Sequence, residues 1–121
     1  MDIKIDLRTP QEAIVSPSGR MDAVSSSEVQ QSITKLVQDG ARVIVVDLEQ
    51  VTFMDSSGLR VLVAGLKLLR RSGGAPLLIC GANSQIRTAL RLTMLDRVFP
   101  IYKNVDEALE NAETPTPWED N

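Results

Sequence analysis

The chain has 121 residues, 43% of them apolar, and a formal net charge of −3, which fits one domain able to bury a core without disulfides or metals. Its 3% aromatic content and acidic balance argue against base-stacking platforms and against binding to phosphate backbones or anionic lipids, so neither nucleic acid nor membrane is an expected partner. With no histidine and a single cysteine, Cys80, Ser-His-Asp and Cys-His relays, imidazole or thiolate metal sites and internal disulfides are excluded, and no metal or cofactor is expected.

Ile3, Ile5 and Leu7 alternate with charged residues, the period of a half-buried strand that Pro10 ends. Ala13-Ile14-Val15 reads as a short second strand closed by Pro17-Ser18-Gly19. Ser25 and Glu28 have capping-box spacing, which predicts a helix starting near Ser25, with Val29, Ile33, Leu36 and Val37 on its inner stripe and Gly40 as its left-handed end. Val43-Ile44-Val45-Val46 is a continuous β-branched run, suited to a central strand covered on both faces. Asp47 to Met54 leads into Asp55-Ser56-Ser57-Gly58 and a second helix to about Arg71, stopped by Ser72-Gly73-Gly74. A strand over 76–80 follows, then a short helix capped by Asn83 with Ile86, Ala89 and Leu90 inward. A weaker strand over 98–102 contains Pro100, and a last helix begins at an Asn104/Glu107 pair with Val105, Ala108 and Leu109 inward. Residues 113–121 read as a flexible tail whose Trp118 is either exposed or docked back.

The order implies an α/β fold with about five strands and four helices in a mixed, mainly parallel sheet, formed by one domain over residues 1–112. The first two strands are joined too briefly for a parallel crossover and are expected to pair antiparallel. The unpaired thiol, the absence of an apolar leader in the first eight residues and the lack of a run near ~18–20 apolar residues are all consistent with a cytoplasmic protein.

On a helical wheel Leu59, Leu62, Val63, Leu66 and Leu69 form the core face of the second helix. Arg60, Lys67 and Arg71 form a basic flank. Val61, Ala64, Gly65 and Leu68 lie nearly opposite the core, either covered by another element of the same domain or left as a docking surface rimmed by charge. Ser56 or Ser57 stands where an N-cap is expected, and the converging N–H groups and helix dipole at that place accept a phosphate.

The segment Val46 to Leu59, with its Phe53-Met54-Asp55-Ser56-Ser57-Gly58-Leu59 core, resembles the signature of bacterial anti-sigma-factor antagonists, the free-standing branch of the STAS family. Gly19-Arg20-Met21-Asp22 resembles that family's second motif, and Gly73-Gly74 and Val105-Asp106-Glu107-Ala108-Leu109 also fit, so the similarity runs from about Ile3 to Leu109. It implies a STAS fold without enzymatic activity. It also implies that Ser56 is phosphorylated by an anti-sigma factor that is itself a serine kinase. The unphosphorylated form would bind that kinase and free the sigma factor, and a PP2C-type phosphatase would restore the serine. Asp22 and Asp55 would be acidic contacts near Ser56, Ser57 would be structural or assisting, and Gly58, Val61, Ala64, Gly65 and Leu68 would join the partner-binding surface. The sequence departs from the family at Arg20, where a small or acidic residue is common, and at Thr93-Met94-Leu95, where a Gly-Leu pair is frequent. Two other functions remain: a STAS module of a sensory or lipid-transport assembly or a small anionic-ligand binder, and a Ser–Lys enzyme, for which Lys35 and Lys67 both read as surface positions.

Overall fold

In the computed structural model residues 1–112 are described, so the expected tail with Trp118 lies outside the described residues. Strand β1 (Asp2–Thr9) turns into β2 (Glu12–Met21), followed by α1 (Ala23–Gln38), β3 (Val43–Asp47), β4 (Val51–Met54) and α2 (Ser56–Arg71). Strand β5 (Leu78–Cys80), α3 (Ser84–Leu92), a single 3-10 turn (Leu95–Arg97), β6 (Ile101–Tyr102) and α4 (Val105–Glu110) complete the order. The sheet runs β1-β2-β3-β5-β6, with β4 on β2. β1 is antiparallel to β2, as its short connection requires, and every other pairing is parallel.

The expected mixed, mainly parallel sheet of about five strands forms, with six strands among the described residues, because 51–54 makes β4 where the sequence read only as a connection. Two expectations about the strands are corrected. β2 does not close at Pro17 but continues to Met21. Its first half pairs with β3 through Val15, and its second half pairs with β4 from Gly19. Pro17 falls in the gap between those two ladders, where no N–H is called for, and Gly19 bends the strand with a φ of +99. β1 forms as predicted, yet only Ile3 packs on the core; Ile5 and Leu7 are 47% and 60% exposed, because β1 is an outer strand that no helix covers along its whole length.

Alternate side chains of the central strands serve two cores. Ala13, Val15, Ile44, Val46 and Ile79 face a layer of α1, α2 and α3, meeting Val29, Ile33, Leu62, Leu66, Leu69, Ile86 and Leu90. Ile14, Val43, Val45, Leu78 and Cys80 face α4 through Ala108, with Val105 and Leu109 beside it. The β-branched run of β3 is thus covered on both sides, and each such side chain removed from water contributes about 1.5–3 kcal/mol. α1 ends as predicted: Gly40 takes a φ of +104, its N–H donates to the Val37 carbonyl, and Ala41 N–H reaches back to Leu36.

The helix starts also differ from expectation. α1 is capped by Asp22, not near Ser25. The Val24 and Ser25 amides donate to the Asp22 carboxylate at 3.1 Å, and the Asp22 amide donates to the Ser25 hydroxyl at 3.0 Å. Ser25 is therefore the far member of the capping box, and Glu28 instead meets the Met1 amino group at 3.1 Å. α3 and α4 are capped by Asn83 and Asn104 as predicted. At the end of α3, Met94 takes a left-handed φ of 61. A Cβ in that conformation costs roughly 1–2 kcal/mol.

Candidate functional site

Met21 and Met54 are register partners at the ends of the parallel strands β2 and β4. Two helices therefore start side by side, α1 after Asp22 and α2 after Asp55, and the Asp55 amide donates to the Met21 carbonyl at 3.1 Å to tie the starts together. The cap of α2 is Asp55, not Ser56 or Ser57: its backbone is extended (φ −99, ψ −169) and its carboxylate accepts the Ser57 amide at 2.8 Å. Carboxylates, like hydroxyls, satisfy free N–H groups, and Asp55 stands one residue nearer the strand. With Asp55 in that role, Ser56 is the first residue of the helix and is exposed. Its hydroxyl lies at the positive end of a sixteen-residue helix.

Gly58 fixes how closely that end sits on the strands. A Cβ there would lie 2.5 Å from Met54 Cγ and 3.2 Å from Met21 Cβ. Asp22 is held below the ordinary carboxylate range, first by the Ser25 amide and then by the Ser25 hydroxyl. Its cap is therefore intact at neutral pH and is lost only as pH falls through that lowered value. Arg20 stacks on Phe53, 4.4 Å from the ring centroid, on the β2–β4 surface.

The match to the STAS domain model covers residues 4–108. The chain belongs to the STAS domain family. It is 34% identical over 101 residues to the anti-sigma F factor antagonist of Paenibacillus polymyxa, covering 83% of this chain and 86% of that one. It is 33% identical over 96 residues to an anti-sigma-B factor antagonist of Staphylococcus aureus, covering 78% and 88%. A crystal structure of an anti-sigma factor antagonist from Mycobacterium paratuberculosis superposes with a TM-score of 0.81 at 30% identity, over 92% of each chain.

Two residues that support the STAS site were not singled out for it from sequence. Among the described residues β4 has a strand on one side only, and the start of α3 finishes the other side with side chains. Gln85 accepts the Met54 amide at 3.0 Å and donates to the Met54 carbonyl at 2.9 Å. Asn83 donates to the Val51 and Thr52 carbonyls at 3.3 and 3.2 Å. A glutamine lying flat against one residue in this way replaces a missing strand, a long-range pairing that no local pattern announces. Gln85→Ala is expected to lower unfolding free energy by about 1–3 kcal/mol in urea titration and to speed exchange of the Met54 amide; an unchanged exchange rate would remove Gln85 from the support of the site.

The apolar arc of α2 is divided by α1. Val61 is 4% exposed and Gly65 is buried, and a Cβ on Gly65 would lie 3.4 Å from Ile33 of α1. Ala64 and Leu68 remain half-buried and line a groove of about 380 Å³ between α1 and α2, with Arg60, Lys67 and Arg71 on its rim. Cys80 is fully buried, and burial, aided by the Asp47 carboxylate, pushes its thiol up to about 12, so it is no nucleophile. No helix among the described residues is long and apolar enough to cross a membrane.

Proposed function

We propose that this chain is a cytoplasmic anti-sigma factor antagonist whose unphosphorylated form binds an anti-sigma factor serine kinase and releases the sigma factor. Phosphorylation of Ser56 switches it off, and a PP2C-type phosphatase resets it. The observation that carries this reading is the exposed Ser56 hydroxyl, freed from capping by Asp55 and set at the first position of α2. A kinase reaches that oxygen without unfolding anything, and the helix start tolerates the product's charge. The names of the curated relatives support the pathway.

In this reading the docking surface centres on Ser56, Ser57, Asp55 and Asp22, and runs along α2 to Ala64 and Leu68. Gly58, Val61 and Gly65 act from beneath it by setting how α2 lies. The chain is a substrate and binding partner and carries out no catalysis. Incubation with the host's anti-sigma serine kinase and ATP is expected to add one phosphate, placed on Ser56 by tandem mass spectrometry and absent from Ser56→Ala. Phosphate on Ser57 would move the acceptor by one residue, and no phosphate on either would overturn the reading.

A further inference from the structure

β1 lies at one margin of the sheet, and its outer edge has no strand partner among the described residues. Its side chains from Lys4 to Thr9 are exposed. Ile5 and Leu7 are register partners of Val15 and Ala13, which are 0% and 1% exposed, so the apolar row of the α1–α2 face runs on past the core to an open edge. The opposite face carries Asp2, Lys4, Asp6 and, at the register shift between Leu7 and Thr9, Arg8, in strict alternation of sign; Asp6 and Arg8 already touch at 3.0 Å.

Unpaired strand edges are usually blunted by charge or proline. Here the charges are ordered so that the strand complements itself. We propose that β1 pairs antiparallel with β1 of a second copy, about a two-fold axis through Ile5, joining the two sheets into one. In that register Lys4 faces Asp6, Asp2 faces Arg8 and Ile3 faces Leu7 of the second copy, each twice, with Ile5 facing Ile5. All four charge pairs are attractive, and every apolar side chain meets another. Sliding the strands by two residues one way sets Asp2 against Asp6 and Lys4 against Lys4. Sliding them the other way sets Lys4 against Arg8 and Asp6 against Asp6. Directly opposed like charges are unfavourable, a slip of one residue sets apolar against charged, and a slip of four leaves fewer residues paired, so this register is favoured. A two-fold interface of this kind is closed and stops at the dimer. It uses the side of β2 away from β4, and so leaves Ser56 open in each copy.

The interface is small, and a dissociation constant of about 1–100 µM is expected. Multi-angle light scattering over increasing concentration is expected to take the mass from the 13.3 kDa of the chain toward twice that value. Lys4→Glu and Asp6→Lys, each alone, oppose like charges and are expected to weaken self-association at least about tenfold. Mixed together the two variants have every pair attractive and are expected to associate as the wild type does. Ile5→Cys, on the two-fold axis, is expected to form a disulfide-linked dimer on mild oxidation faster than Leu7→Cys, which faces Ile3. Wild type that stays at 13.3 kDa at the highest concentration, two charge variants that fail to pair when mixed, or faster cross-linking at Leu7 would each overturn the proposal.

Discussion

Ser56→Asp is expected to bind the anti-sigma serine kinase about 10- to 10³-fold more weakly than wild type, while Ser56→Ala stays within about threefold. The estimate follows from the neighbours. An added charge at position 56 stands next to Asp55, and two like charges about 4 Å apart repel by about 1 kcal/mol in water and about 4 at an effective dielectric near 20. A partner closing over the site raises the cost by removing water, and 1.4 kcal/mol is a factor of ten. The folded state itself is not expected to lose stability, because an acidic residue in the first turn is favoured by the helix dipole. Isothermal titration calorimetry for binding and urea unfolding for stability separate the two quantities. Equal affinity for Ser56→Asp and wild type would remove charge at this position as the switch.

Gly58→Val is expected to cost about 2–3 kcal/mol of unfolding free energy and to weaken kinase binding with it. The added Cβ would sit 2.5 Å from Met54 Cγ and 3.2 Å from Met21 Cβ, at the junction that joins the ends of β2 and β4 to α2. Either α2 lifts off the strands and carries Ser56 with it, or Met54 leaves its packed position. Gly65→Ala is the contrasting case on the same helix. Its Cβ would meet Ile33 at 3.4 Å, close to ordinary contact, and alanine gains up to about 1 kcal/mol of helix propensity over glycine. Gly65→Ala is therefore expected to be neutral or slightly stabilising. Equal losses for the two variants would show that lost glycine flexibility, rather than the close approach at Gly58, sets the cost.

The two pairs of variants also separate the layers of the site. Ser56 substitutions change the charge offered to a partner and leave the packing alone. Gly58 substitutions change the packing and leave the charge alone. A switch that works by local repulsion responds to the first with no change of fold, and this is the mechanism that the geometry of Asp55 and Ser56 favours.

Much of the site was legible in the chain. Asp55-Ser56-Ser57-Gly58 preceding Leu59, Leu62, Leu66 and Leu69 announces a helix with polar residues at its start, and the core face predicted from the wheel is buried except for half-buried Val63, while Val61 and Gly65 on the other side are buried as well. The caps lie elsewhere than the local pattern suggests, by one or two residues in α2 and by three in α1. Ser25 and Glu28 have the right spacing, but so do Asp22 and Ser25, and only the direction in which the chain leaves β2 selects between them. β4 was missed because Val51, Thr52, Phe53 and Met54 are too few to show a period, and because half of their pairing comes from side chains on α3. Pro17 and Gly19 were read as a stop because both break strands locally, whereas β2 exchanges one partner for another at that point.

Local residue patterns specify the α/β order apart from β4, the burial of the β3 run on both sides, the C-terminal ends of α1 and α2 and the family signature around Ser56. These depend on residue types within a few positions of one another, where propensity and periodicity act directly. Tertiary structure alone decided that Asp55 holds the cap and leaves the Ser56 hydroxyl free. It also decided that α1 takes half of the apolar arc of α2, and that Gln85 closes the open side of β4. The last two are contests between groups distant in the chain for the same carbonyl or apolar surface, settled only when the elements meet; the cap is a contest between neighbours, and it goes to the residue whose amide is tied to the Met21 carbonyl of β2.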